Sequence, residues 1–220
     1  MFIAQYGLTE AVLSGRKTQT RRIIPKSTLE KVDKFMVDYC NETFDVLTEI
    51  EALQQYFFIE NVGKLPFKVG EIVAVAQSYK DCGYDPNALD RSPKDLNVVR
   101  GTLGESKGWN NKMFVRSDAC KHHIRITNVR VKRLQDISDE DCMAEGVCKW
   151  TKDRELFKYD MADGFEMFEW RDKPRTPREA YAALIDRISG KGTWDSNPYV
   201  FVYDFELVEV FNYRKKNGTT

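Results

Sequence analysis

The chain has 220 residues, 42% hydrophobic and 31% charged, an ordinary globular balance with apolar material for one core. Lysine plus arginine and aspartate plus glutamate each total 34, so the net charge is zero and attraction to phosphate must come from local clustering. No run approaches the roughly 18 apolar residues of a membrane span, and the opening MFIAQYGLTEAV lacks the basic start and apolar core of a signal peptide. A cytoplasmic single domain over 1–220, without membrane contact, is therefore expected. The 5 cysteines include no CxxC pair, which speaks against a disulfide framework and a zinc ribbon and predicts reduced thiols.

In chain order, Thr9 reads as an N-cap, Glu10 as a first-turn acid and Gly15 as a stop, predicting a short helix. The segment 15–22, GRKTQTRR, follows with the densest positive cluster of the chain: Arg16, Lys17, Arg21 and Arg22. Residues 26–66 read as a variable excursion with weak helical periodicity near 29–37 and 47–57. The run 69–76, VGEIVAVA, is rich in β-branched residues and predicts a buried strand. Residues 80–112 are rich in glycine, proline, asparagine and aspartate, the composition of a long surface loop. Within it Trp109 is either a base-stacking platform or an anchor to the core, the anchor being the simpler reading.

In 124–134 the apolar alternation changes phase at Thr127 and Asn128, which predicts two short strands around a bulge, with Arg130 and Lys132 on one face. His122 and His123, as strand neighbours, point to opposite faces without a second ligand cluster, so no metal is expected. Ser138 followed by Asp139, Glu140 and Asp141 opens a helix that Gly146 closes, leaving Glu145 at the end where the dipole disfavours an acid. Residues 149–174 read as a further insertion, a lid or an edge hairpin. Thr176, Pro177 and Glu179 form a capping box, and Tyr181, Leu184, Ile185 and Ile188 continue as one buried helical face up to Gly190. The turn 194–198 leads into an aromatic, β-branched strand over 199–207, and the tail after Tyr213 is polar and expected to fray.

Several of these segments, in this order, resemble the ASCH family of the PUA-like superfamily, in particular its longer members found in phages and prophages. They are GRKTQTRR at 15–22, the strand after Val69, Gly70 and Glu71, VRVKRLQDIS at 129–138 with Ala144, Glu145 and Gly146 behind it, and WDSNPYVFV at 194–202. The resemblance implies an α+β, PUA-like fold: a small twisted mixed β-barrel flanked by helices, with long loop insertions at about 26–66, 80–112 and 149–174. It also implies a cleft lined by the basic motif. Family members are associated with RNA binding, some with ribonuclease activity, and some with removal of the acetyl group from cytidine acetylated on its exocyclic amine.

By resemblance, the deacetylating set of lysine, threonine and glutamate falls on Lys17, Thr20 and Glu145. A desolvated lysine can act as base for a threonine hydroxyl, a glutamate can orient it or protonate the leaving amine, and Arg16 or Arg21 can hold an oxyanion or phosphate. The plainer alternative is a solvated or phosphate-contacting face with ordinary strand residues at Thr18 and Thr20. The chain departs from the longer members at Ala74 and Gln77, where they usually carry tryptophan and glutamate. An amide at Gln77 hydrogen-bonds a base but does not exchange a proton.

Three functions compete. The leading expectation is binding of RNA or a modified nucleoside, with phosphates at Arg16, Lys17, Arg21, Arg22, Arg130 and Lys132, a base stacked on Tyr79 or Trp109, and Thr18 and Gln77 as further ligand-binding residues. The second is an amidohydrolase using Lys17, Thr20 and Glu145. The third is an accessory factor gripping another protein through Phe165, Met167, Phe168 and Trp170, whose packing inside the domain is the simpler reading. None of the three calls for a cofactor.

Overall fold

A computed structural model describes residues 6–43, 46–82, 108–152 and 156–208. In chain order its helices and strands are α1 (Leu8–Leu13), β1 (Gln19–Ile23), α2 (Lys26–Thr43), α3 (Glu49–Gln54), β2 (Ile72–Ala74), α4 (Tyr79–Cys82), β3 (His123–Arg133), α5 (Asp139–Ala144), β4 (Cys148–Thr151), β5 (Phe157–Asp160), α6 (Pro177–Ser189), α7 (Thr193–Ser196) and β6 (Tyr199–Val208). The chain is mixed α+β, with an antiparallel sheet curled as a half-barrel. Among described helices none is long and apolar enough to cross a membrane. The chain divides into two compact units, one holding Ile72–Arg125 and the other Ala4–Glu71 with Ile126–Glu206.

In the larger unit β6 lies between β1 and β3. Its first five residues are all buried, as a strand covered on both faces requires. β1 runs antiparallel to it, with Gln19 opposite Asp204, Thr20 opposite Tyr203, Arg21 opposite Val202 and Arg22 opposite Phe201. Because side chains alternate, Gln19, Arg21, Val202 and Asp204 share one face of this pair, and Thr20, Arg22, Phe201 and Tyr203 share the other. The second face is aromatic: Phe57 meets Phe201 edge-on at 4.9 Å and Phe67 meets Tyr203 at 5.6 Å.

The stretch 26–66 is therefore part of the core. α2 buries Val32, and α3 buries Ala52 and Leu53, then continues into a π-helical turn, Gln55–Ile59, that buries Tyr56 and Phe57. A capping box between Thr48 and Glu51 starts α3. The helix start at Thr9 needs correction: the N-cap of α1 is Gly7, in the left-handed region at φ 65°. A Cβ at Gly7 would stand 2.6 Å from the Phe165 ring, so close approach as well as backbone conformation requires glycine there. Thr9 lies buried inside the helix, its hydroxyl without a partner.

The two short strands expected over 124–134 are one continuous strand, β3, yet its burial still slips phase at Thr127 and Asn128, both exposed between buried Ile126 and Val129. Ser138 caps α5 by accepting from the Asp141 amide, and Gly146 follows at φ 108°. The segment after it forms the hairpin β4–β5, a separate two-stranded sheet. α6 starts with the Thr176–Glu179 capping box and buries Tyr181, Leu184 and Ile185.

In the smaller unit β2 pairs with the start of β3, Ile72 opposite Arg125 and Ala74 opposite His123. The buried strand expected over 69–76 is only three residues long, and Ile72 is exposed because β2 ends the sheet; Val75, just beyond it, is fully buried. Most of the expected loop, 83–107, and the tail after Tyr213 lie outside the described residues.

Candidate functional site

Lys17, Gln19 and Arg21 alternate along one face as the chain enters β1, and all three are buried although polar or charged. Two backbone bonds fix this entry: the Thr18 amide donates to the Ala144 carbonyl, and the Thr18 carbonyl accepts from the Phe205 amide, both at 2.9 Å. Those bonds bring the end of α5 and the middle of β6 against the basic motif. Asp141 and Glu145, one helical turn apart, consequently face it together.

Lys17 Nζ donates to Glu145 Oε2 at 2.5 Å, to the Glu145 carbonyl at 2.9 Å and to the Gln19 carbonyl at 2.8 Å. Lys17 is 2% and Glu145 4% exposed, so this is a buried ion pair. Arg21 joins it, reaching Glu145 Oε1 at 3.3 Å and Asp141 Oδ2 at 2.7 Å and donating to the Gln19 side-chain oxygen. Gln19 Nε2 donates to Asp141 Oδ1 at 3.1 Å and to Asp204 Oδ1 at 2.8 Å. Asp204 in turn accepts from Arg130 through both its oxygens and from Asn128 Nδ2 at 3.3 Å. Three cations and three carboxylates thus form one connected network, buried at Lys17 and open at Asp141, Asp204 and Arg130, whose side chains are 24%, 27% and 32% exposed.

Burial drives the Lys17 pKa below the ordinary lysine value, with Glu145 opposing that shift and the nearby Arg22 and Arg21 charges adding to it. Desolvation pushes the Asp141 carboxyl up, but hydrogen bonds from Arg21 and Gln19 outweigh it and hold the group below its usual value. Tyr181, buried beside the network, is raised well above the ordinary phenol, first by desolvation and then by the Glu145 charge. Desolvation likewise raises the Cys142 thiol to about 12, so it is an inert core thiol at neutral pH.

Of the residues singled out by sequence, the structure joins Lys17, Arg21, Glu145 and Arg130 in this network. Thr20 is half-buried at the alternate position of β1, on the face of Phe201 and Tyr203, and Arg22 shares that face. Thr18 and Arg16 are exposed, Arg16 donating to Cys148 Sγ, and Lys132 is half-buried. Gln77 and Tyr79 belong to the smaller unit. Gln77 Oε1 is buried without a hydrogen-bond partner, and the Tyr79 hydroxyl, on a side chain 4% exposed, accepts from the Arg116 amide at 3.3 Å. Gly108 lies so close to the Tyr79 ring that a Cβ there would be 2.2 Å from it. Met167 is buried, and Phe165, Phe168 and Trp170 are half-buried.

Sequence reasoning missed Gln19, Asp141 as an Arg21 partner, Asn128 and Asp204. One signal was present, a single acid in the apolar run 199–205; residues 17–21 are polar at every position and do not mark which of them share a face. Among the described residues no cluster of histidine, cysteine, aspartate or glutamate fits a metal ion. Compared with models of known protein families, with curated proteins and with solved structures, the chain matches none.

Proposed function

We propose that the open end of this network recognises the hydrogen-bonding edge of a nucleobase, presented in RNA or as a modified nucleoside. The observation that carries the reading is the pairing of every network cation with an internal carboxylate. Cations already neutralised in this way are poor phosphate contacts, whereas a half-exposed carboxylate beside a guanidinium offers an acceptor and donors side by side. An amino-pyrimidine such as cytosine presents the complementary amine and ring acceptors. The resemblance of the basic motif and of 129–146 to the ASCH family supports the same ligand class. Retention of a buried polar network that a well-packed apolar set would replace without loss of stability also fits a ligand-binding role.

Amide hydrolysis of acetylated cytidine is the second reading, favoured by the lowered pKa of Lys17 and its bond to Glu145. It ranks lower because the register sets Thr20, its nucleophile, on the aromatic face of the sheet. Calorimetric titration with cytidine and acetylated cytidine, with acetate release followed in parallel, separates the two. Binding that Asp204→Asn abolishes and that salt barely changes is the expected result. Binding confined to RNA and falling steeply with salt would return the site to phosphate contact, and Lys17-dependent acetate release would establish the hydrolase.

A further inference from the structure

Six cations read from the sequence as phosphate contacts are Arg16, Lys17, Arg21, Arg22, Arg130 and Lys132. Three of them, Lys17, Arg21 and Arg130, are each bonded to a carboxylate of the network. Arg22 alternates to the aromatic face of β1, and Arg16 is held on Cys148 Sγ. Lys132 is different: half-buried in β3, it makes neither an ion pair nor a side-chain hydrogen bond among the described residues.

The place of Lys132 follows from the strand. Asn128, Arg130 and Lys132 alternate with the buried Val129 and Val131, so they share the face on which Asn128 and Arg130 reach Asp204. Lys132 stands about 7 Å along that face from Arg130. It is also near enough to Asp141 for that carboxyl to feel its charge, after the larger effects of desolvation and of the bonds from Arg21 and Gln19. The unpaired ammonium therefore lies at the open end of the network, where Asp141 and Asp204 meet solvent.

Charge decides what this end favours. The three cations of the network cancel its three carboxylates, so Lys132 leaves the face with one net positive charge. Asp139 and Glu140, the other acids of α5, are exposed and screened by solvent. A neutral nucleoside leaves the Lys132 ammonium without a counter-charge, whereas an anion carried on the sugar supplies one. An ammonium on a flexible stem, with three donors, suits a phosphate group. We propose that Lys132 binds the phosphate of the same nucleotide whose base is read at Asp204 and Arg130, so that the ligand is a nucleotide and not a free nucleoside. The proposal rests on the nucleobase reading of the network and narrows its ligand.

The test is calorimetry with cytidine, cytidine 5′-monophosphate and a three-residue oligocytidylate over a salt series, in the wild type, Lys132→Gln, Lys132→Arg and Asp204→Asn. The monophosphate should bind about tenfold more tightly than cytidine at low salt, and this advantage should shrink as salt rises. Lys132→Gln should bring the ratio of the two affinities to about one, and Lys132→Arg, which keeps the charge, should retain most of it. A monophosphate that binds no better than cytidine, or whose advantage survives Lys132→Gln, overturns the proposal. The oligocytidylate identifies the source of the phosphate: a Lys132-dependent gain assigns it to RNA and no gain to a free nucleotide, the contact standing in both. If the monophosphate binds through Lys132 regardless of Asp204→Asn, the nucleobase reading fails while the phosphate contact stands. If cytidine binds through Asp204 and the phosphate adds nothing, the reverse holds, and if neither binds, both fail.

Discussion

At the scale of single residues, the unusual feature is an ammonium group, Lys17, held inside the protein by three acceptors. Removing one partner of such a buried pair leaves the other uncompensated, which costs about 3–5 kcal/mol, while removing both together often costs far less. Lys17→Met alone should therefore destabilise strongly, and the double change with Glu145→Leu should be milder than the sum of the two singles, as read from urea unfolding. The pH dependence has a definite sign. The folded pKa of Lys17 lies below its ordinary value of 10.5, so the unfolded chain binds more protons between the two values. Its contribution to stability therefore rises with pH through that window and is most unfavourable below the folded pKa. The stability difference between wild type and Lys17→Met should shift in that direction on going from neutral to alkaline pH. A flat difference would show that Lys17 is not desolvated.

At the scale of elements, α5 is the device that delivers Glu145. Ser138 and three first-turn acids start it, and Gly146 ends it at φ 108°, a conformation that L side chains rarely adopt. A Cβ at Gly146 would also press on Leu8 Cδ2 at 3.3 Å. Gly146→Ala should thus cost about 1–3 kcal/mol and weaken cytidine binding together with stability, because the Glu145 carbonyl and carboxylate both hold Lys17. The cap, the acids and the glycine were readable in the sequence because capping is local chemistry. What α5 faces was not readable, since Lys17 and Glu145 are 128 positions apart and come together only in the tertiary structure, where the Thr18 amide also donates to the Ala144 carbonyl.

At the scale of the whole molecule, the helices of 26–66 belong to the core that supports the site. Phe57 is 2% exposed and packs edge-on against Phe201, on the sheet face opposite Arg21. Phe57→Ala should cost about 3–5 kcal/mol by thermal or urea unfolding. A dispensable excursion would lose almost nothing. The weak periodicity near 29–37 and 47–57 does correspond to helices, but their place in the core was not legible because α2 buries only Val32, while Ala52, Leu53, Tyr56 and Phe57 are buried in α3 and its π-helical turn.

By itself the sequence determined the elements whose signals are local: the capped starts of α5 and α6, the glycine stops, and the apolar run that becomes β6. It also marked Lys17, Arg21, Glu145 and Arg130 as residues of interest, through charge clustering and family resemblance. Tertiary structure alone decided their partners. The β1–β6 register sets Gln19 against Asp204 and turns Thr20 to the aromatic face, because moving by one residue along a strand reverses the side a residue presents. It alone also decided that Trp150 and Trp170 line one cavity, since hairpin pairing and the buried Asp160–Lys173 bond bring together residues that composition reads only as scattered aromatics and charges.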